Sequence, residues 1–295
     1  MEINLNILNH TSIMSKLNEY LRLIVPLYIP MAISGLFIGS VSTTYAFPSF
    51  SFILGVISFS LLIGGYNAYN AIIDKEIDRI NKPDRPLPKG TLTEKDALYA
   101  SVFCYILSIL VAFLINTIFL LLILFTAGLT IAYSHPTIHL KRKFLWGTLS
   151  AVILYTVLAP LAGWALYPYL EIPIPVILFL FFLGLPTGIM KDYIDYVGDS
   201  FHKVHSVPVQ LGYNNSILVV ILLYMLSGIF LFFLIYEKIL MQKALLLFII
   251  YPFMFINLLN MPKNYASNLN KDTIFNVGMA LFISTEITLS AIFLF

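Results

Sequence analysis

Long apolar stretches separated by short polar connections run along most of this chain. A membrane-spanning helix needs about 20 consecutive, mostly apolar residues. The pattern meets this requirement nine times and therefore predicts an all-α protein with nine transmembrane helices. The predicted spans are roughly residues 23–41, 50–73, 97–115, 117–134, 145–166, 173–190, 216–236, 243–260 and 273–294.

The composition is that of an integral membrane protein. The chain is 59% hydrophobic and only 11% charged, whereas a typical soluble domain carries roughly 25% charged residues. The third and fourth stretches meet at residues 115–117. At about 37 residues together they are too long for one crossing, so we expect a tight helical hairpin there. We expect residues 1–295 to form a single polytopic membrane domain.

The basic residues predict the orientation of the spans. With the N-terminus inside, fifteen of the seventeen Lys and Arg fall in inner segments, and only Lys238 and Lys243 fall outside. Because Lys and Arg concentrate on the cytoplasmic side, the sequence predicts a multi-pass protein of the cell membrane with a cytoplasmic N-terminus. Twelve of the fifteen Asp and Glu also lie in the inner segments. We therefore expect the working face, capped by these inner loops, to be cytoplasmic.

Two clusters of oxygen-bearing side chains stand where an apolar helix runs out. Spacings of three and four residues place each cluster on one helical face, and we expect the second helix to continue to about Ile80. The clusters are Asn70, Asp74 and Asp78 after the second span, and Asp192, Asp195 and Asp199 after the sixth. Such acids repel one another unless positive charge lies between them, so they suggest one shared site for hard divalent cations.

Basic residues lie close to both clusters in the sequence. Arg79 and Arg85 lie beside the first cluster, and Lys191 adjoins the second. Mg²⁺ uses one or two carboxylates and fills its other positions with water and phosphate oxygens, while Arg grips phosphate in a two-pronged fashion. Acids beside arginines therefore suit a cation bound to an anion such as a diphosphate.

Together these motifs resemble the UbiA superfamily of intramembrane prenyltransferases. The first cluster matches the Asn-x3-Asp-x3-Asp motif of that family, and the second contains its Asp-x3-Asp motif, with Asp192 in an additional acidic position. The remaining matches are Arg85-Pro86-Leu87, Tyr133 with Lys141-Arg142, and Leu21-Arg22-Leu23.

The resemblance implies a nine-helix bundle around a central cavity and the transfer of a prenyl group from a prenyl diphosphate. It implies that Mg²⁺ is held by Asn70, Asp74, Asp78, Asp192, Asp195 and Asp199. The catalytic residues are then Asp74, Asp78, Asp195, Asp199 and Tyr133. The diphosphate is bound by Asn70, Arg22, Arg79, Arg85, Lys141 and Lys191.

The acceptor is the open question. The segment 206–212 looks most like the branch shared by archaeal ether-lipid and chlorophyll-type enzymes, and within it we favour geranylgeranyl transfer to geranylgeranylglyceryl phosphate. Ala71, Thr148 and Val197 depart from common family patterns, and these departures weaken the choice of acceptor. A quinone precursor or another aromatic or tetrapyrrole acceptor is the alternative. The expected partners are a prenyl diphosphate, a lipid or aromatic acceptor and membrane lipids, with no nucleic acid.

Two other classes of protein compete with this interpretation. A cation-coupled transporter also uses intramembrane carboxylates, but it often carries inverted repeats and broken helices, which are not evident in this sequence. A phosphoalcohol transferase would carry a tighter Asp-rich signature with Asp-Gly and Ala-Arg. Glu286 lies inside the last span without a motif match, and we expect it to have a hydrogen-bonded packing role.

Overall fold

A computed structural model describes residues 16–24, 28–261 and 271–295 of the chain, and these ranges contain helices and no strand. Residues 1–15, 25–27 and 262–270 lie outside the described residues, so the first predicted span, 23–41, is described only in part. The α-helices are α1 (Lys16–Ile24), α2 (Ile29–Thr44), α3 (Phe50–Ile73), α4 (Lys75–Asn81), α5 (Pro86–Lys89), α6 (Glu94–Phe113), α7 (Thr117–Ser134), α8 (Trp146–Ile153), α9 (Ala159–Trp164), α10 (Ile174–Ile194), α11 (Tyr196–Phe201), α12 (Val207–Tyr236), α13 (Ile250–Leu259) and α14 (Lys271–Leu294).

The described residues contain eight helical segments long and apolar enough to cross a membrane. A ninth span results if α1 and α2, which lie at 50° to one another, are counted together. The predicted all-α membrane fold is thus confirmed, while the count of nine stays a prediction. The bounds of α3 and α7 agree with the predicted spans 50–73 and 117–134. Asn116 caps α7 by accepting a hydrogen bond from the backbone N–H of Phe119 at 2.8 Å.

Two spans differ from their predicted form. The helix predicted over 216–236 already begins at Val207. The prediction started later because the first turns contain Gln210, Asn214 and Asn215 and fall outside the apolar stretch. Gly212 interrupts the helix with φ 73°, a left-handed conformation that favours glycine. The span predicted over 145–166 contains a π-helical turn at Leu154–Leu158. Pro160 follows directly and lacks the N–H that a regular helix needs.

The helix expected to continue to Ile80 breaks at Asp74, so that expectation was wrong. Asp74 has φ −89° and ψ 5°, and α4 begins only at Lys75. Asp195 breaks the chain between α10 and α11 in the same way, with φ −88° and ψ 0°. These dihedral angles lie in the sparsely allowed bridge region. Each acidic cluster is therefore divided between a spanning helix and a short one.

Close helix packing holds the interior together. A Cβ atom on Gly163 of α9 would collide with the carbonyl oxygen of Leu36, and one on Gly39 of α2 would collide with that of Pro160. Small residues let helix backbones approach closely inside a membrane. Elsewhere in the interior, the fully buried Glu286 accepts a hydrogen bond from Ser34 Oγ at 2.5 Å. This contact joins α14 to α2 and agrees with the expected packing role.

Replacement of Gly163 by Ala tests the close approach of α2 and α9. We expect Gly163→Ala to lower the free energy of unfolding by about 1–3 kcal/mol, because the new methyl group overpacks the interface. Gly128→Ala is the matched control, since a Cβ atom there meets no heavy atom within 4 Å. We expect it to be neutral or to stabilise the helix by about 0.5–1 kcal/mol. Unfolding by titration with SDS in detergent micelles measures both, and equal stability of the two variants would contradict the packing argument.

Candidate active site

Asn81, the last residue of α4, joins the two acidic segments. Its Nδ2 donates to the backbone oxygen of Asp195 at 2.9 Å, and its Oδ1 accepts from the backbone N–H of Gly198 at 2.8 Å. A Cβ atom on Gly198 would lie 2.5 Å from Asn81 Nδ2, so glycine permits this approach. The clusters that are far apart in sequence therefore meet at one end of the bundle.

Three of the acids form ion pairs with basic residues from other segments. All three carboxylates are at least 96% buried. The pairs are Asp74 with Lys141 at 2.5 Å, Asp78 with Arg85 at 2.8 Å and Asp195 with Lys82 at 2.5 Å. The Lys82 pair crosses from the first acidic segment to the second and reinforces the contact made by Asn81.

The other two acids have different surroundings. Asp192 accepts a hydrogen bond from Thr148 Oγ1 at 2.7 Å, and Lys191 Nζ lies 3.8 Å from its other oxygen. Asp199 is 2% exposed, and its Oδ1 has no hydrogen-bond partner among the described residues. Asp74 Oδ1 is likewise buried and unpaired within those ranges. Buried carboxylate oxygens of this kind are free to accept a further ligand.

The titration properties of the site follow from burial and mutual attraction. Burial alone would lower the pKa of Lys141, but attraction to Asp74 and Asp199 raises that pKa well above its usual value. Burial would raise the pKa of Asp195, yet Lys82 and the other nearby lysines hold it well below its usual range. Asp199 lacks such a direct partner, and burial raises its pKa to about 7.

A cavity opens beneath the charged groups. Its polar end contains Asn70, Asp74, Lys82, Arg85, Lys141, Lys191 and Asp195. Its apolar end contains Tyr28, Met31, Tyr66, Tyr133, Tyr155 and Phe275, among others. The Tyr133 ring is buried and meets the Tyr66 ring edge-on, with centroids 5.6 Å apart. The predicted central cavity is therefore present, and it joins a charged head region to an aromatic body.

Two basic residues assigned to the site from sequence lie at its margin. Arg22 donates to Glu19 at 3.0 Å and to the backbone oxygen of Asp84 at 2.6 Å. Arg79 is exposed and pairs with Glu76 at 2.6 Å. Neither is among the described residues that line the cavity, and their diphosphate-binding roles stay predictions.

Sequence reasoning missed Lys82, Asn81 and Thr148, which all contact the second acidic segment. Lys82 carried the same signal as Arg79 and Arg85, a basic residue close after the first cluster. No local pattern distinguishes which of these basic side chains turns inward. Asn81 carried no signal in the sequence, and Thr148 stood out only as a departure from a common family pattern.

The donor set fits a hard divalent cation. It consists of carboxylate and amide oxygens, and Asp74 and Asp199 each keep one buried unpaired oxygen within the described part of the chain. No three His, Cys, Asp or Glu residues in that part converge as a metal cage. Mg²⁺ commonly binds through one or two carboxylates together with water and substrate phosphates. The residues therefore suit a cation that is shared with a phosphate ligand.

Comparison with known proteins supports the resemblance seen in the motifs. A model described as the UbiA prenyltransferase family matches residues 27–276. The digeranylgeranylglyceryl phosphate synthase of Methanosphaera stadtmanae is 29% identical over 81% of this chain and 86% of its own length. The synthase of Metallosphaera sedula is 32% identical over 68% of this chain and 70% of its own. That of Methanococcoides burtonii is 35% identical, over only 53% and 55%.

Solved structures share the fold. A UbiA homolog from Archaeoglobus fulgidus bound to DMAPP and Mg²⁺ has a TM-score of 0.73 and 21% identity, covering 92% of this chain and 99% of that one. A digeranylgeranylglyceryl phosphate synthase has a TM-score of 0.64 and 27% identity over the same shares. A UbiA homolog from Aeropyrum pernix K1 has a TM-score of 0.69 and 17% identity, covering 90% and 96%. These likenesses confirm the predicted fold class.

Replacement of Asn81 by Ala tests the link between the acidic segments. We expect Asn81→Ala to lower the free energy of unfolding by about 1–3 kcal/mol, because it leaves two backbone groups without their partner. Asn260→Ala is the matched control, since that exposed side chain bonds only to Ile256 on its own helix. We expect the control to change stability by less than about 0.5 kcal/mol. Titration with SDS measures both, and an Asn81→Ala protein as stable as the control would refute the link.

Proposed function

The chain belongs to the UbiA prenyltransferase family, and we propose that it transfers a geranylgeranyl group from its diphosphate to the hydroxyl of geranylgeranylglyceryl phosphate. The observation that carries the proposal is the cavity itself, whose end of paired acids and cations continues into an aromatic body. Such a shape suits a ligand with a diphosphate head and a long apolar tail. The acceptor rests on the relatives named digeranylgeranylglyceryl phosphate synthase.

Separate groups bind the head and the tail of the donor. Arg85 and Lys141 carry charge at the polar end of the cavity and are suited to grip the diphosphate. Asn70 and Lys191 line the same end. The isoprenoid tail lies against the tyrosine and phenylalanine rings farther in.

Mg²⁺ would be held by Asp74, Asp78, Asp195 and Asp199, with Asn70 and Asp192 beside them. When bound, Mg²⁺ supplies positive charge that stabilises the departing diphosphate. The fit rests on hard oxygen donors and on the unpaired buried oxygens of Asp74 and Asp199 among the described residues.

In the proposed reaction the bond between the allylic carbon and the diphosphate oxygen breaks, and the electron pair leaves with the diphosphate. Lys141 and Arg85 stabilise the negative charge that builds on this leaving group. The faces of Tyr133 and neighbouring rings stabilise the allylic cation, and the buried cavity delays its capture by water. The acceptor hydroxyl then forms the ether bond to carbon, and its proton passes to the released diphosphate.

We assign the working end of the bundle to the cytoplasm. Under the predicted topology, the inner connections, which include the two that carry the acidic clusters, and the N-terminal segment together hold fifteen of the seventeen Lys and Arg. A cytoplasmic site agrees with a donor whose diphosphate head is water-soluble. It also agrees with the distribution of Lys and Arg in membrane proteins.

Charge removal at the acids tests the assigned reaction. We expect Asp74→Asn and Asp195→Asn each to abolish most Mg²⁺-dependent transfer, because each keeps the side chain's shape but loses a negative ligand. Glu76→Gln is the control, since Glu76 is exposed and pairs only with Arg79. The measurement is formation of radiolabelled diether phosphate from geranylgeranyl diphosphate. Full turnover in either Asn variant, or transfer by the wild type only to aromatic acceptors, would contradict the proposal.

Inhibition by inorganic diphosphate separates head binding from tail binding. We expect Arg85→Ala to weaken this inhibition by about 1.5–3 kcal/mol, the size of one charge-assisted hydrogen bond. Ala151→Phe, at a residue that lines the cavity, should shorten the accepted tail and leave diphosphate inhibition nearly unchanged.

Two controls accompany the Arg85 measurement. Arg85→Lys keeps a positive partner for Asp78 and should restore part of the inhibition. This variant therefore shows whether the loss in Arg85→Ala reflects charge or misfolding. Lys89→Ala removes an exposed basic residue four positions away and should leave inhibition unchanged. An unaltered inhibition constant in Arg85→Ala would show that Arg85 serves only to neutralise Asp78.

A further inference from the structure

A second, smaller pocket lies beside the main cavity. The two spaces share Tyr133 and Lys141 as a common wall. The lining residues that belong to the small pocket alone include Lys143, Thr148, Asp192, Asp199, His205 and Ser206. The pocket thus adjoins the donor's head region, and its lining comes from the connection after α7, the start of α8, the second acidic segment and the connection after α11.

Two polar groups in this pocket have no partner in the fold. Ser206 Oγ belongs to a side chain that is only 8% exposed, and it makes no hydrogen bond to any described residue. Asp199 Oδ1 is equally unpaired within the described ranges. Buried polar groups normally find hydrogen-bond partners, because leaving one unpaired costs about 1–3 kcal/mol. Since Asp199 is assigned to Mg²⁺, the Ser206 hydroxyl is the group in this pocket that needs a separate polar ligand.

The charges of the lining define which ligand fits. Asp192 and Asp199 would repel a simple anion, while the ammonium groups of Lys141 and Lys143 disfavour a simple cation. A molecule that carries both a hydroxyl donor and an anionic group meets both kinds of side chain. Lys143 forms no ion pair with any described residue, so its charge is available to an anion.

The outer wall of the pocket is apolar. Leu145 lines the pocket and is 48% exposed, and its neighbours Phe144 and Trp146 are exposed as well. The segment connects two membrane-spanning helices, and exposed Trp beside Lys and Arg is typical of the membrane–water interface. An amphiphile can therefore place a polar head in the pocket while its tail leaves along an apolar surface.

We propose that this pocket binds the phosphate head of the acceptor lipid, with Lys143, Ser206 and His205 holding the phosphate. The inference rests on the proposed function, because that function supplies an acceptor with both a phosphate and a free hydroxyl. The pocket then sets specificity for a phosphorylated alcohol over an uncharged one. The shared wall at Tyr133 brings the acceptor next to the donor.

The test uses a pair of probes and the full-length protein in nanodiscs. One probe is a short-chain alkylglycerol phosphate with a free secondary hydroxyl, and the other is the same alkylglycerol without phosphate. Binding is measured by calorimetry without donor, and acceptor KM is measured with it. We expect Lys143→Ala and Ser206→Ala to weaken binding of the phosphorylated probe about fivefold. Binding of the uncharged probe and inhibition by diphosphate should not change.

Arg142→Ala is the matched control, because Arg142 is exposed, adjacent to Lys143 and absent from the described lining of the pocket. Lys143→Arg should restore binding of the phosphorylated probe. The inference is overturned if the two variants bind that probe as the wild type does, if Arg142→Ala is equally weak, or if diphosphate inhibition weakens in parallel. A wild type that binds the probe but forms no ether product from it would instead overturn the proposed function.

Discussion

Burial of negative charge at the end of an apolar bundle is the constraint on which the site depends. Asp74, Asp78, Asp195 and Asp199 are each 2–4% exposed, and an ionised carboxylate is costly to bury without a partner. The partners come from other parts of the chain, so each ion pair also ties a connection to the bundle. Lys82 joins the two acidic segments directly. Removal of one partner from a buried pair typically costs about 3–5 kcal/mol, and the loops are therefore fixed by charge as much as by apolar contact.

The backbone gives both acidic segments the same local form. In each, a spanning helix ends at an aspartate, and the next aspartate four residues later donates its backbone N–H to the first one's carbonyl, at 2.7 Å for Asp78 and 2.9 Å for Asp199. The break redirects the second aspartate of each pair from the axis of the long helix. Asn81 then spans the gap between the two short helices. Two copies of one turn, joined across the bundle, place the carboxylates within reach of the same lysine, Lys141.

Periodicity and composition predicted much of this fold because the membrane imposes long apolar stretches, and the spans 50–73 and 117–134 agree with the structure. The spacing Asp-x3-Asp also predicted that the two clusters share a site. The break at Asp74 was not predictable from helical spacing, and neither was the pairing of its carboxylate with a lysine sixty-seven residues away. Long-range contacts of this kind also decide which basic residues turn inward. Local sequence favoured Arg79 and Lys82 equally, and only Lys82 reaches the second cluster.

The position of Lys141 links the two pockets to the fold. The connection that carries Lys141 lies close against the start of α8. Glycine at position 147 permits this approach, because a Cβ atom there would lie only 2.7 Å from the backbone oxygen of Lys141. This close approach brings the ammonium group to Asp74 at 2.5 Å, with Asp199 near enough to raise its pKa. Lys141 is thereby a wall of both the donor cavity and the smaller pocket. Because its ammonium group faces both spaces, Lys141 can stabilise the diphosphate that leaves in the donor cavity. Its pairing with Asp74 keeps it from holding an anion permanently. The close approach at Gly147 therefore positions Lys141, which lies between the two proposed substrate sites.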